Sequence, residues 1–282
     1  MRRLAVLVVL YGKNISDSTT IATLLNVGLS NAKVVIHNNG PTNLEFPDSE
    51  KEKFISQAIQ VELINCVDNK PLSSIYNGFI DDHRDFDIFT IFDDDSMVSH
   101  DYVTAVDNDS YDIELPKIIS RVDGAIYYPI SKGVPITENG VIRHKEIFSI
   151  GSGLTFTKNV VDAFKKFNIC LFDEHYALYG VDFSFFRRMH FLQMKGMSFI
   201  LSSTFTLYHG LSKTESVQSH FRHRERLIDF ALTVRHYPSP RLYLALVKRV
   251  LTDSLCLNFK DVNLVLKSYF SSYHPRCKKY SK

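Results

Sequence analysis

Apolar and polar positions along the first hundred residues alternate between two periods. "RLAVLVVLYG" (3–12) is a continuous apolar run, as expected of a strand buried on both faces of a parallel sheet. "SDSTTIATLLNVGL" (16–29) follows with apolar residues at helical spacing and Ser16 to Ser18 as candidate caps. The same alternation continues through "AKVVIHNNGPTN" (strand, then turn), "EKEKFISQAIQ" (helix) and "VELINC" (strand). "PLSSIYNGFIDDH" predicts a helix with Pro71 near its first turn, and "FDIFTIF" a strand running into Asp93, Asp94 and Asp95. Strands alternating with helices predict βαβ units in a doubly wound α/β fold. Ligands bind beyond the carboxyl ends of such strands, which is where Tyr11 to Lys13, Asn38 to Gly40 and the acidic triplet fall.

The pattern is more mixed further on. "GAIYYPI" and "HKEIFSI" predict strands, "TKNVVDAFKKF" and "VDFSFFRRMHFLQMKG" helices, and "SFILSSTFTLYHG" one strand ending in His209. Two basic amphipathic helices, "QSHFRHRERLIDFALTVRHY" and "PRLYLALVKRVLTDSLCL", then flank Pro238 to Pro240. A boundary near 211 divides the chain into 1–210, with halves of about 1–100 and 101–210, and a helical extension over 211–282.

Composition narrows the class. The 282 residues are 45% hydrophobic and 23% charged, which suits a packed core rather than disorder. The longest apolar run, Leu4 to Leu10, is far below the roughly 20 residues that span a bilayer and lacks the cleavage site of a signal peptide. Four scattered cysteines without a CxxC pair fit free thiols in a reducing cytoplasm. Net charge is only +2, yet residues 211–282 hold 14 Lys/Arg against 5 Asp/Glu, leaving 19 against 26 for the rest. That asymmetry is either a solvated helical face or a surface for an anionic partner, a membrane being the specific candidate. No nucleic-acid-binding motif is present, so nucleic acid is not expected as a partner.

Three adjacent carboxylates repel one another and resist desolvation, so a neutralising partner is expected. An acidic turn with Asp caps is one solution. A hard cation such as Mg²⁺ or Mn²⁺ is the other, favoured by the buried strand in front of the triplet.

These segments together resemble the inverting glycosyltransferases of family 2, which have the GT-A fold, and the bacterial rhamnosyltransferase-like enzymes of surface polysaccharide assembly in particular. The resemblance rests on "VLVVLYGKN", "VVIHNNGPTN", a loosened "NKPLSSIYNGF", the DxD-like "IFTIFDDDS", "GSGLTFTKNVVDAFKKFNICLFDEHY", "YGVDFSFFRR" and "LYHGLSK", in order over roughly residues 4–226. It implies a Rossmann-like, mainly parallel mixed sheet flanked by helices. It also implies transfer of a sugar from a UDP-, GDP- or dTDP-sugar to a polyprenyl-diphosphate-linked glycan, with Mn²⁺ or Mg²⁺ as cofactor. The expected place is the cytoplasm, peripheral on the inner face of the cell membrane.

Carried over by residue, Asp95 and Asp93 are the expected metal and donor acids, with Asp94 a middle position of no catalytic role, and His209 completes the metal site. Asp182 is the expected base; Asp173 or Glu174 is the fallback, because Val181 and Ser184 stand where the family has acids. Arg188 is expected at the diphosphate, with Arg187 as substitute. Tyr11, Asn38, Asn69 and Tyr76 are expected around the nucleotide, and Gly151, Ser152 and Gly153 on the acceptor side. A nucleotidyltransferase is the enzyme rival, expected to carry a glycine-rich basic loop where "YGKNISDS" stands. A catalytically silent nucleotide- or glycan-binding protein on the same fold is the rival from another class.

Overall fold

The computed structural model of the chain describes residues 2–211 and 219–280. Ser212 and Lys213 of the "LYHGLSK" stretch and the last two residues of the basic tail lie outside them.

The strand–helix alternation holds. β1 (Leu4–Leu10), α1 (Thr19–Val27), β2 (Ala32–Asn38), α2 (Asp48–Ile55), β3 (Gln60–Asn65), α3 (Leu72–Asp82) and β4 (Ile88–Asp93) follow one another. All seven residues of β1 are buried, because helices cover both faces. Its side chains alternate between two cores: Ala5, Leu7 and Val9 face one, Val6, Val8 and Leu10 the other. α1 starts where Ser18 Oγ accepts the Ile21 N–H and stops at Gly28 in the left-handed region (φ 72°). The four strands are parallel in the order β4-β1-β2-β3. Register sets Val9 beside Asp93 and Leu10 beside Asn38, which pairs in turn with Asn65, so these residues end on one edge.

The second half adds β5 (Met97–Val98), α4 (Asp101–Asp107), β6 (Ile113–Glu114), β7 (Lys117–Ser120), β8 (Ile126–Tyr128), β9 (Ile130–Ser131), β10 (Val134–Pro135), β11 (Gly140–Val141), β12 (Ile147–Phe148) and β13 (Leu154–Thr157). Then come α5 (Lys158–Lys166), α6 (Val181–Met194), β14 (Leu201–Ser203) and β15 (Thr206–His209). β13 runs antiparallel between β4 and β6, and β14 and β11 complete an eight-stranded mixed sheet. A second sheet, β5-β15-β7-β8, carries His209 back over the end of β4. The single strand expected over 198–209 is therefore two strands in two sheets. Its break is fixed at Thr204, whose N–H and hydroxyl both donate to Glu114.

Three helices follow: α7 (His220–His236), α8 (Pro240–Leu255), whose Ser239 cap accepts the Leu242 N–H, and α9 (Phe259–Ser271), which the sequence pattern did not suggest. α7 lays Ile228 and Leu232 into the same core as Phe185 and Tyr76. Each such side chain contributes about 1.5–3 kcal/mol on burial, so packing is continuous across residue 211. The four cysteines are unpaired.

Candidate active site

The acidic triplet is divided among different partners. Lys13, in the loop after β1, places Nζ 2.7 Å from Asp94 Oδ1. The start of α1 grips the backbone behind it: Ser18 Oγ donates to the Asp94 carbonyl (2.9 Å), Thr20 Oγ1 to the Asp93 carbonyl (2.5 Å), and the Ser96 N–H to Thr20 Oγ1 (2.9 Å). These buried hydroxyls turn Asp93 and Asp95 away from Asp94 and toward His209. The sequence showed Ser18 only as a helix cap.

His209 ends β15 with Nδ1 3.1 Å from Asp95 Oδ1 and Nε2 3.6 Å from Asp93 Oδ2. Its orientation is fixed from behind, since Ser96 Oγ lies 3.0 Å from Nδ1 and Ser152 Oγ lies 2.6 Å from Ser96 Oγ. Ser152 Oγ also accepts the Asp93 N–H. Asp93, Asp95 and His209 present one ligand atom each within 4.8 Å of one another. Two carboxylate oxygens and one imidazole nitrogen form a donor set that suits Mn²⁺, and Mg²⁺ less strongly. A side chain at Gly210 would place its Cβ 2.7 Å from Asp95 Oδ2, so the carboxylate needs that glycine. Burial, with Asp95 and Asp94 nearby, pushes the Asp93 carboxyl up to about 6, although His209 opposes this. Burial disfavours the charged imidazole, yet Asp95 and Asp93 outweigh it and raise His209 above its ordinary value.

Asp93 and His209 open on a cavity of about 530 Å³ that also exposes Asp182, Tyr76, Arg187 and Asp229. Asp182 stands in the first turn of α6, which begins at Gly180 with φ 79°. Its carboxylate packs on Gly151, where a Cβ would lie 2.5 Å from Oδ1, and it accepts the Gly151 N–H. Burial first, and Asp93 second, push Asp182 up to about 7. A carboxylate so poised is suited to accept a proton from a hydroxyl near neutral pH.

α7 completes the cavity with Arg226 and Asp229, which sequence reasoning missed. Asp229 Oδ1 fits against the α-carbon of Gly180, in space a side chain there would occupy. Burial lifts the Asp229 carboxyl to about 6, with Arg187 opposing. The available signal was "RLIDFAL", a carboxylate inside an apolar run, which is seldom placed there without a partner.

Several expected residues lie elsewhere or do other work. Arg188 is turned away from the cavity: Nη2 is 2.9 Å from Asp173 Oδ1, and Nη1 donates to the Cys170 carbonyl. Arg187 lines the cavity instead. Asp173 is no free base, because His175, Arg188 and Tyr237 hold its buried carboxyl well below the usual carboxylate range against the cost of burial. Glu174 is exposed. The Asn38 amide is committed to the turn after β2 and to β3, donating to the Thr42 carbonyl and Asn65 Oδ1 and accepting the Gly40 N–H. Asn69 accepts from Arg276 Nη1 of the C-terminal segment. Tyr76 is a buried cavity wall packed edge-on to Phe172 at 5.0 Å, whereas Tyr11 stands 52% exposed past β1. Gly151, Ser152 and Gly153 are buried: Gly151 packs on Asp182, Ser152 bonds the Asp93 N–H and Ser96, and Gly153 packs on Pro116, so none of the three lines the cavity. Arg188→Met leaves the Asp173 charge buried and short of a partner; urea unfolding should show a loss of about 3 kcal/mol. A loss below about 1 kcal/mol would contradict that role.

No protein-family model matches the chain, and no curated protein matches it in sequence. Solved structures do. The Staphylococcus aureus TarS 1–349 structure in complex with UDP superposes at TM-score 0.55 with 12% identity, over 99% of this chain and 91% of that one. A longer S. aureus TarS structure gives 0.52 at 11% identity over 83% of this chain, which spans only 44% of its length. GalNAc-T7 with UDP, GalNAc and Mn²⁺ gives 0.51 at 12% identity, over 85% of this chain and 52% of that one. The chain thus has the GT-A fold.

Proposed function

We propose that this chain is an inverting glycosyltransferase that moves a sugar from a nucleotide-diphosphate donor to an acceptor hydroxyl. The observation that carries this reading is the sharing of one cavity by Asp182 and by two members, Asp93 and His209, of an O,O,N donor cluster. Asp95, Asp93 and His209 are assigned to hold Mn²⁺ or Mg²⁺, which when bound supplies Lewis-acid neutralisation of a leaving diphosphate. Asp182 takes the proton of the acceptor oxygen as that oxygen attacks the anomeric carbon; the C–O bond to the diphosphate breaks on the opposite face. Arg187, which lines the same cavity next to Asp229, is the cation assigned to face the transferred sugar or the leaving diphosphate. That similar folds have been solved with UDP, and one with Mn²⁺, accords with such a donor.

We assign the acceptor to a lipid-linked glycan of surface polysaccharide assembly, such as O-antigen or capsule, with the enzyme at the inner face of the cell membrane. No helix among the described residues is long and apolar enough to cross a membrane, and the attachment we assign is peripheral. The nucleotidyltransferase alternative is disfavoured because Lys13, the cation after β1, is engaged by Asp94. A panel of UDP-, GDP- and dTDP-sugars with Mn²⁺ tests the proposal. Metal-dependent release of nucleoside diphosphate from one donor is expected. Tight nucleotide binding without release from any of them, with or without glycan acceptors, would mark a silent binder instead.

A further inference from the structure

α8 leaves one face uncovered. Leu244, Val247, Leu251 and Leu255 recur at helical spacing and are 71, 56, 58 and 84% exposed. The stripe continues past the helix end through exposed Leu257 and Phe259. Scattered apolar residues on a surface need no cause, but a row along about three turns does. The opposite side of α8 is occupied, with Leu246 and Val250 packed against the small core that joins α7 and α9. The stripe is therefore spare rather than a misjudged core face.

Charge around the stripe distinguishes its possible occupants. Arg241 and Lys248 flank it on α8 and are exposed. Lys260 and Lys267 of α9 are exposed as well. The two acids of these helices, Asp253 and Asp261, are engaged by Arg249 at 2.5 and 3.7 Å, and Asp261 also by His223 at 2.7 Å. Beside the stripe on α8 the exposed charges are thus cationic, and the acids of α8 and α9 are already engaged. A second copy docking by two-fold symmetry would set cation against cation across a strip one helix wide, far short of a stable dimer contact. An anionic bilayer surface accepts the leucines below its headgroups and neutralises the rim.

We propose that α8 and the turn after it form a membrane-docking surface, seating Leu244, Val247, Leu251, Leu255, Leu257 and Phe259 in the interface of an anionic bilayer. This goes beyond the transfer chemistry and does not depend on it, since docking needs neither donor nor metal. The arrangement also orients the molecule. A groove between α7 and α8 contains Lys248 and Arg226, and Arg226 also lines the cavity that holds Asp182. A headgroup-bearing acceptor therefore meets cations along the way from the bilayer to the cavity.

Flotation of the full chain with phosphatidylglycerol-containing vesicles, and with vesicles of phosphatidylcholine alone, tests the surface. Binding to the anionic vesicles is expected to exceed binding to neutral ones. Leu244→Ser/Leu251→Ser should weaken it about tenfold or more, from the loss of two apolar anchors. Arg241→Gln/Lys248→Gln should weaken it and flatten its salt dependence. Because all four side chains are exposed, melting temperature and far-ultraviolet circular dichroism should not change. Absence of vesicle binding, or binding indifferent to the leucine substitutions, overturns the proposal. So does a concentration-dependent dimer in sedimentation velocity that the leucine substitutions abolish. Hydrolysis of a nucleotide-sugar in solution should be unchanged in the leucine variant, which separates this surface from the transfer function.

Discussion

Asp182→Asn should leave a folded protein that still binds nucleoside diphosphate with Mn²⁺ but transfers sugar about 10³-fold more slowly, the scale of losing a positioned base. The substitution is close to isosteric, and the amide oxygen can still accept the Gly151 N–H that holds the carboxylate now. What disappears is the lone pair that takes the acceptor proton. The residue's environment gives this a second signature. Burial and Asp93 raise its carboxyl to about 7, and a base works only after losing its proton. The rate should therefore rise with pH on approach to neutrality and level off above. A cation beside Asp93 draws that limb somewhat lower, because positive charge favours the carboxylate. The Asn variant should show no such limb. Turnover within a few fold of the unaltered protein would remove Asp182 from its role.

Asp95→Asn tests the donor cluster and should lower transfer by about 10²–10³-fold, the several kcal/mol that a bound divalent ion contributes to neutralising a leaving diphosphate. Mn²⁺ binding by calorimetry should weaken in parallel. In the unaltered protein that binding should tighten as pH rises. His209 is held above its ordinary value by Asp95 and Asp93 against the effect of burial, and its proton must leave before the imidazole can ligate. Asp94→Asn is the comparison: it breaks a partly exposed pair with Lys13, worth at most about 1 kcal/mol. Equal losses from Asp94→Asn and Asp95→Asn would mean that the triplet acts as undivided negative charge.

Much of this was legible in the chain. The apolar run at Leu4–Leu10 fixed a doubly covered strand, because both faces of a parallel sheet must be apolar, and the alternation of strand and helix patterns placed its neighbours. Asp93, Asp95 and His209 were named from the family resemblance of the segments that hold them, and the fold brings them together. What was not legible depends on contacts distant in sequence. The choice between Arg187 and Arg188 turns on the direction each side chain takes from one helix, and adjacent residues on a helix point about 100° apart. Asn38 looked open because the Thr42 and Asn65 groups that occupy it come from a turn and another strand. Asp229 and Arg226 reach the cavity only because α7 folds back on it, a fact no local period records.

That return of α7 has a bearing on how such a protein diversifies. Asp182 of α6 and the α7 residues Arg226 and Asp229 line one cavity, with Asp229 lodged against Gly180. Residue 211 is therefore a poor crossover point. A chimera joining this N-terminal sheet to the helices of a relative would inherit a different wall of the Asp182 cavity along with its new tail. Substrate preference and surface attachment would then travel together as one heritable cassette.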